Sequence, residues 1–476
     1  MIWYSVAVQP TMTSVISLIY HRYYVTKPMH NQTALLAISP WDGRHIWRGS
    51  CTTPEASWAA MDRLQQAFPA WAAGSPDDRD HALRRLGAVL AERQEDLIRL
   101  LVEDAGKHPK DAQSECALLE KKISVTLQHG RTLFPQQPSG DAPHTIYRPR
   151  GPALIIGPFN FPLHLVHGLV VPALAMGSPV LIKPSERAPA IAQAYYEACC
   201  AAGLGEVVAL AQGGPEVVTP ILQHPALTTV AAVGSQGMGK ALSQALAGRP
   251  EVTLALELGG VNHALICADA DLPQAAQDLA MGAWSMSGQR CTATRIAHVP
   301  RSQWPSLAPL LQDAAASWQP RQDCGPLIDQ ASAQAFRLNW QQRPPGLRLL
   351  HGQVDGHDAF QPPLLAAVED DAARCHSLYR DEHFGPALII DVYDQEDVAL
   401  ARMQANPARL AASIFTATRQ HFLQRALHLD YGQVNHNRPT AGARSDQPFG
   451  GRATAGNGRP AALHAPGIFA DACVIW

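Results

Sequence analysis

The sequence predicts an α/β protein with a parallel sheet of the nucleotide-binding kind and a second α/β domain, and three observations carry that expectation. Between Ala153 and Val233 short apolar runs alternate with helical patterns, as strands joined by helical crossovers do. A glycine-rich turn, Gly234-Ser235-Gln236-Gly237-Met238-Gly239, follows the last run and opens a helix. After Cys291 a looser strand-and-helix pattern resumes, which puts the start of the second domain near Gly259.

Bulk composition narrows the classes. A chain of 476 residues holds about three domains, or two and an appendage. With 46% hydrophobic and 17% charged residues it can bury a large core. A net charge of −3 with scattered arginines leaves no footprint for nucleic acid or an anionic membrane. Nine irregularly placed cysteines without a CxxC pair argue against a disulfide framework and for a reducing cytoplasm. The 20 histidines form no HExxH, so no metal site is expected.

Residues 1–38 are an extension of uncertain role. They are apolar and aromatic, yet lack the basic start and cleavage site of a signal peptide, and Pro10 with His21-Arg22 interrupts any membrane span. A turn at Ser39–Gly43 leads into a short strand at Arg44–Trp47. Thr53-Pro54 reads as an N-cap followed by proline, opening a helix toward Trp71. Further helices are expected from Asp77, across Leu97–Val102 and across Cys116–Leu127, together covering one face of a later sheet. Residues 131–149 break into a proline-rich loop and a lone strand, His144–Arg148, which needs a partner; Cys473–Trp476 is the candidate.

The alternation follows. Strands are expected at Ala153–Ile156, Val180–Lys183, Val207–Leu210 and Thr228–Val233, with helices over Leu165–Leu174, Ala188–Ala202 and Val217–His224 between them. An apolar strand ends in Leu256-Glu257-Leu258-Gly259-Gly260. Beyond Cys291, strands are expected at Ile296–Val299, Leu388–Val392 and Ala411–Thr416.

Several short runs carry chemistry. Glu257 sits at a strand end before two glycines, and Cys291 follows Ser287-Gly288-Gln289-Arg290. A carboxylate and a thiol brought to one cleft suffice for covalent catalysis followed by hydrolysis. Singly, each has a plainer reading: a surface charge and a small buried hydrophobe. Glycines at 234, 237 and 239 let backbone approach a phosphate at a helix N-terminus, though the spacing departs from GxGxxG. Lys183-Pro184-Ser185-Glu186 stands at a strand's carboxyl end, where parallel sheets bind ligands. Asn160, in Gly157-Pro158-Phe159-Asn160-Phe161-Pro162, offers an amide to an oxyanion or caps the next helix. Glu382-His383-Phe384-Gly385-Pro386 completes the set.

Taken together, from about Ser39 to the C-terminus and in this order, these motifs resemble the aldehyde dehydrogenase superfamily. The resemblance implies a Rossmann-type NAD-binding domain (39–130 and 150–258), an α/β catalytic domain (259–461) and a small β oligomerisation arm (131–149 and 462–476). It implies Cys291 as nucleophile, Glu257 as general base and Asn160 as oxyanion donor. Cofactor contacts fall to Gly234, Ser235, Gln236, Gly237, Met238 and Gly239 at the pyrophosphate, and to Lys183 and Glu186 at the adenosine ribose. Ile156, Pro158 and Phe159 are further cofactor contacts, and Glu382 and Phe384 fall toward the nicotinamide end. A carboxylate at Glu186 accepts a ribose diol and repels a 2′-phosphate, which favours NAD.

Within the superfamily, Gly157–Pro162 with His164, and the runs Val434–Pro439, Pro448–Gly451 and Ala455–Pro460, are similar to the subgroup that oxidises N-succinylglutamate 5-semialdehyde in bacterial arginine degradation. Gly458 stands where that subgroup has histidine. Carboxylates on such a substrate call for guanidinium partners, and Arg290, Arg438, Arg444 and Arg459 are the candidates. The alternatives are a dehydrogenase for another semialdehyde or an aliphatic aldehyde and, in a different class, a catalytically silent homologue. A homodimer or homotetramer is implied.

Overall fold

The computed structural model describes residues 34–138, 143–354, 358–458 and 461–476. Most of the expected extension, residues 1–33, lies outside them, as does the candidate Arg459. Residues 34–38 correct the expected boundary: they form β1 (Ala34–Ile38), antiparallel to β2 (His45–Ser50) across the Ser39–Gly43 turn.

Four helices follow: α1 (Pro54–Ala73), α2 (Pro76–Glu92), α3 (Gln94–Ala105) and α4 (Pro109–Val125). Thr53 Oγ1 caps α1 by accepting from Ala56 N, with Pro54 in the first turn as expected. The second helix begins a residue before Asp77, because Ser75 and Asp78 close a reciprocal capping box. A lone strand, β3 (His144–Pro149), precedes the first sheet.

That sheet comprises β4 (Ala153–Ile156), β5 (Val180–Lys183), β6 (Val208–Leu210), β7 (Thr229–Gly234) and β8 (Thr253–Leu258), all parallel, in the order β6-β5-β4-β7-β8. Its crossovers are α5 (His164–Met176), α6 (Pro189–Ala201), α7 (Val218–Gln223) and α8 (Gln236–Ala245). The strand order reverses direction between β4 and β7, opening a crevice at their carboxyl ends. Alternate side chains of each strand enter different cores. Ala153, Ile155, Val180 and Ile182 pack with Leu86, Leu101 and Ile123 of α2–α4, while Leu154, Ile156 and Leu181 pack with Met61 and Leu64 of α1. The opening helices therefore divide between both faces; the expectation of a single covered face is corrected. Helix α1 packs on the far face through Ala60, Met61 and Leu64, while its Ala67 and Trp71 reach the first core.

A seven-stranded sheet follows, with β9 (Asn262–Ile266), β10 (Thr294–Pro300), β11 (Leu347–His351), β12 (Leu364–Val368), β13 (Ala387–Tyr393), β14 (Ala411–Phe415) and β15 (Gln433–His436). Its order is β11-β12-β13-β10-β9-β14-β15, parallel except for the β11–β12 pair. The last strand, β16 (Ala470–Ile475), pairs antiparallel with β3, from Ala470 opposite Pro149 to Ile475 opposite His144. Residues 455–457 seal the free edge of β8. Leu258 N donates to Ala455 O at 3.0 Å, Leu256 N to Asn457 Oδ1 at 2.9 Å, and Asn457 Nδ2 to Leu254 O at 2.7 Å.

Candidate active site

Cys291 lies between α9 (Leu272–Trp284) and β10, on a loop that the backbone enters under strain. Met286 and Ser287 have φ of +52° and +53°, a region side-chain-bearing residues rarely occupy, and Gly288 follows at +66°. The turn persists because its neighbours hold it. Ser287 Oγ donates to Gly325 O at 2.6 Å, and Gln289 Nε2 to Pro326 O at 3.2 Å, while Gln289 Oε1 accepts from Ile328 N at 2.9 Å. A Cβ on Gly288 would overlap Gly385 O.

Two carboxylates face the half-buried Cys291 thiol. Glu257, at the penultimate position of β8, is buried, and neither side-chain oxygen has a hydrogen-bond partner among the described residues; burial holds its carboxyl well above the usual range. Burial likewise raises Glu382 to about 7, against the pull of the Arg295 guanidinium. Burial first, then the charges of Glu382 and Glu257, push the Cys291 thiol up to about 12.

Asn160 is buried in the loop after β4, and its Nδ2 donates to Gln289 O at 2.8 Å, two residues before Cys291. The cap position of α5 belongs to Leu163 and carries no side-chain bond, so the helix-capping role does not hold for Asn160. A primary amide has two N–H groups, and one remains for another acceptor. Phe159 and Phe384 meet edge to face at 5.8 Å, with Ile156 and Pro158 just before them on the same strand and loop.

The cofactor candidates line the carboxyl ends of the first sheet. Lys183 ends β5, and its Nζ lies 3.2 Å from Glu186 Oε2. Ser235 caps α8, accepting from Met238 N at 3.2 Å, so the N-terminus of α8 opens on the Gly234–Gly239 turn. Gln236 Nε2 reaches across to Gly259 O at 3.3 Å. Glu382 Oε1 is buried without a hydrogen-bond partner among the described residues, and a Cβ on Gly259 would overlap the Glu382 carboxylate. An orphaned acceptor beside a glycine cradle, in line with a capped helix start and a Lys–Glu pair, fits a ribose–pyrophosphate–ribose ligand.

Three side chains that sequence reasoning passed over secure this arrangement. Asn262, fully buried on β9, donates to Cys291 O at 2.7 Å and Ala293 O at 2.9 Å, and accepts from Ala411 N at 2.9 Å. Arg295 is fully buried on β10 and donates to Gly385 O at 2.9 Å and Gly288 O at 2.7 Å, tying the Glu382 loop to the Cys291 loop. Thr440 Oγ1 donates to Thr292 O at 2.7 Å. For Asn262 and Arg295 the signal in the sequence is polarity inside an otherwise apolar strand; Thr440, in a loop, carries none. Of the candidate arginines, Arg290 is held by Asp111 at 3.1 Å and Arg444 by Asp446 at 2.6 Å. Arg438 is exposed in the loop that leads to Thr440.

Residues 27–467 match the model of the aldehyde dehydrogenase family, and the chain belongs to that family. It is an oxidoreductase that acts on a small aldehyde with a nicotinamide cofactor. Among its relatives are N-succinylglutamate 5-semialdehyde dehydrogenases of Burkholderia thailandensis, 34% identical over 451 residues with 91% of each chain covered, and of Chromobacterium violaceum, 32% identical over 463 residues with 92% of each covered. Lactaldehyde dehydrogenase from Escherichia coli superposes with a TM-score of 0.87 at 25% identity, over 94% of this chain and 96% of that one. The fold is shared with glyceraldehyde-3-phosphate dehydrogenase GapN of Methanocaldococcus jannaschii, solved with NADP, at a TM-score of 0.86 and 24% identity, over 94% and 99% of the two chains.

Proposed function

We propose that the protein oxidises N-succinylglutamate 5-semialdehyde to N-succinylglutamate, using NAD and passing through an enzyme-bound thioester. The reading rests above all on two buried carboxylates close enough to raise the Cys291 thiol, with an oxyanion donor fixed to its loop. The relatives' substrate and the Glu186 carboxylate, which accepts a ribose diol and repels a 2′-phosphate, support the choice of substrate and cofactor.

The Cys291 thiol gives its proton to solvent water, the thiolate attacks the aldehyde carbon, and the second N–H of Asn160 with the Cys291 backbone N–H receives the oxyanion, at about 3 kcal/mol per donor. The bound nicotinamide supplies the two-electron acceptor. Glu257 then takes a proton from the water that cleaves the thioester, returning the thiol and the carboxylate product. Burial raises the Glu257 carboxyl, and water entering beside it favours the ionised form that acts as the base. Gly234–Gly239 hold the pyrophosphate, Lys183 and Glu186 the adenosine ribose, and Glu382 the nicotinamide ribose, with Ile156, Pro158, Phe159 and Phe384 around the ring.

The division into an NAD-binding part (39–130 and 150–258), a catalytic part (259–461) and an arm belongs to the same reading, as do a cytoplasmic location and assembly as a dimer or tetramer through the β3–β16 ribbon. No helix among the described residues is long and apolar enough to cross a membrane. The deciding experiment follows NADH formation with N-succinylglutamate 5-semialdehyde, succinate semialdehyde and pentanal. A large kcat/KM preference for the first supports the assignment. Equal rates would leave aldehyde oxidation and remove the substrate, and Cys291→Ala retaining turnover would refute the mechanism.

A further inference from the structure

Helix α5 is buried along nearly all its length, yet one stripe stays accessible. His164, Leu165 and Gly168 keep partial exposure and continue the line begun by Phe161, at the spacing of one helix face. The stripe starts beside Asn160 and runs from Phe161 to Gly168, its helical part from His164 onward rising about 6 Å along the axis, away from the nucleophile loop.

Cations gather around it. Lys107 Nζ stands 3.9 Å from the centre of the Phe161 ring and Arg290 5.8 Å from it, but Glu115 holds the first at 2.9 Å and Asp111 the second at 3.1 Å. Lys122 of α4 differs. It is 9% exposed, and no carboxylate among the described residues pairs with it. Its end lies across Gly168: a Cβ there would stand 3.4 Å from Lys122 Cε and 3.5 Å from Nζ. One turn before Gly168, His164 has a buried Nδ1 with no hydrogen-bond partner among the described residues. An ammonium buried without an anion is costly in the free protein, and the cost is recovered when a ligand brings one.

We infer that Lys122 recognises a carboxylate of the aldehyde substrate at the end of the α5 stripe remote from Asn160, with His164 donating along the way. The inference rests on the substrate reading above, and it assigns a lysine on α4 where the sequence suggested arginines. Gly168 is the residue that makes room, since a side chain there would fill the space over the ammonium. Burial and then Lys121 lower Lys122 to about 8, which still leaves most of it charged at neutral pH. The anion at this end of the stripe is held by a point charge and not by a guanidinium fork.

The test compares kcat/KM for N-succinylglutamate 5-semialdehyde and for pentanal in the wild type, Lys122→Met and Lys122→Arg. Loss of a charge-assisted bond lowers the preference ratio of Lys122→Met about ten- to a hundredfold, chiefly through KM, and Lys122→Arg recovers most of it. Removal of an uncompensated buried charge also raises the Tm of Lys122→Met. A wild type with no preference fails the substrate reading, and this inference falls with it. A wild-type preference that survives in Lys122→Met overturns the inference alone. An equal loss with both aldehydes, the ratio unchanged, also overturns it and makes Lys122 a packing residue.

Discussion

At the scale of single residues, burial and neighbouring carboxyls set the charge of the site. A negative charge beside a thiolate disfavours it, so Glu382→Gln should lower the Cys291 pKa from about 12. Alkylation of the cofactor-free enzyme by iodoacetamide at about pH 8 is then faster in the variant, by severalfold, although aldehyde turnover falls. An unchanged alkylation rate would remove Glu382 from the electrostatics of the thiol. Stability carries the same signature. The folded chain keeps the Glu382 proton up to about 7 where an ordinary glutamate releases it near 4.5, so ionisation costs stability. The cost is absent below the lower value, grows between the two and is complete above the higher one, at about 3 kcal/mol. Glu382→Gln should accordingly raise Tm at about pH 8 and leave it unchanged at about pH 4. Asn262 acts differently, by holding the carbonyls on either side of Thr292. Asn262→Asp sets a carboxylate against Cys291 O and Ala293 O, and kcat should fall at least about tenfold with KM for aldehyde little changed. Equal kcat in variant and wild type would show that the loop holds itself.

At the scale of elements, glycine and cap positions decide whether the cofactor end can form. Gly259→Ala places a methyl on the Glu382 carboxylate, so nicotinamide-cofactor affinity, measured by NADH fluorescence, should fall steeply while the fold survives. Ser235→Ala removes the cap of α8, with a loss of about 1 kcal/mol in unfolding free energy and weaker cofactor binding. These positions were legible because they lie in short local signals: proline after Thr53, glycine at strand ends, alternation of apolar and helical runs. The strands of the first sheet sit within a residue of where the apolar runs place them. Positions fixed by distant partners were not legible. Asn262, Arg295 and Thr440 draw their meaning from carbonyls that only folding brings near, and the left-handed pair Met286-Ser287 contradicts its own local preferences. For the same reason nothing in the neighbourhood of Arg290 announces that Asp111 already holds it.

At the scale of the whole molecule, one ribbon projects apolar side chains to solvent. Val474 is 56% and Trp476 95% exposed on and just past β16, opposite β3. Removal of Ala470–Trp476 should reduce the assembly to monomers, read as mass by light scattering; an unchanged mass would dismiss the ribbon as an assembly element. The pairing of β3 with the end of the chain could be anticipated from a lone strand in need of a partner. The distribution of the opening helices over both faces of the first sheet could not, since amphipathic patterns show that a face is buried and not against which side of a later sheet.

The seal on β8 has a consequence for how the protein is made. Leu254 and Leu256 wait for Asn457, which comes 203 and 201 residues later. As the chain leaves the ribosome, the strand carrying Glu257 remains an open sheet edge through nearly half of translation, the condition in which nascent chains pair with one another or recruit a chaperone. A ribosome stalled before residue 455 therefore presents a nearly complete nucleotide-binding sheet whose catalytic border is still unfinished.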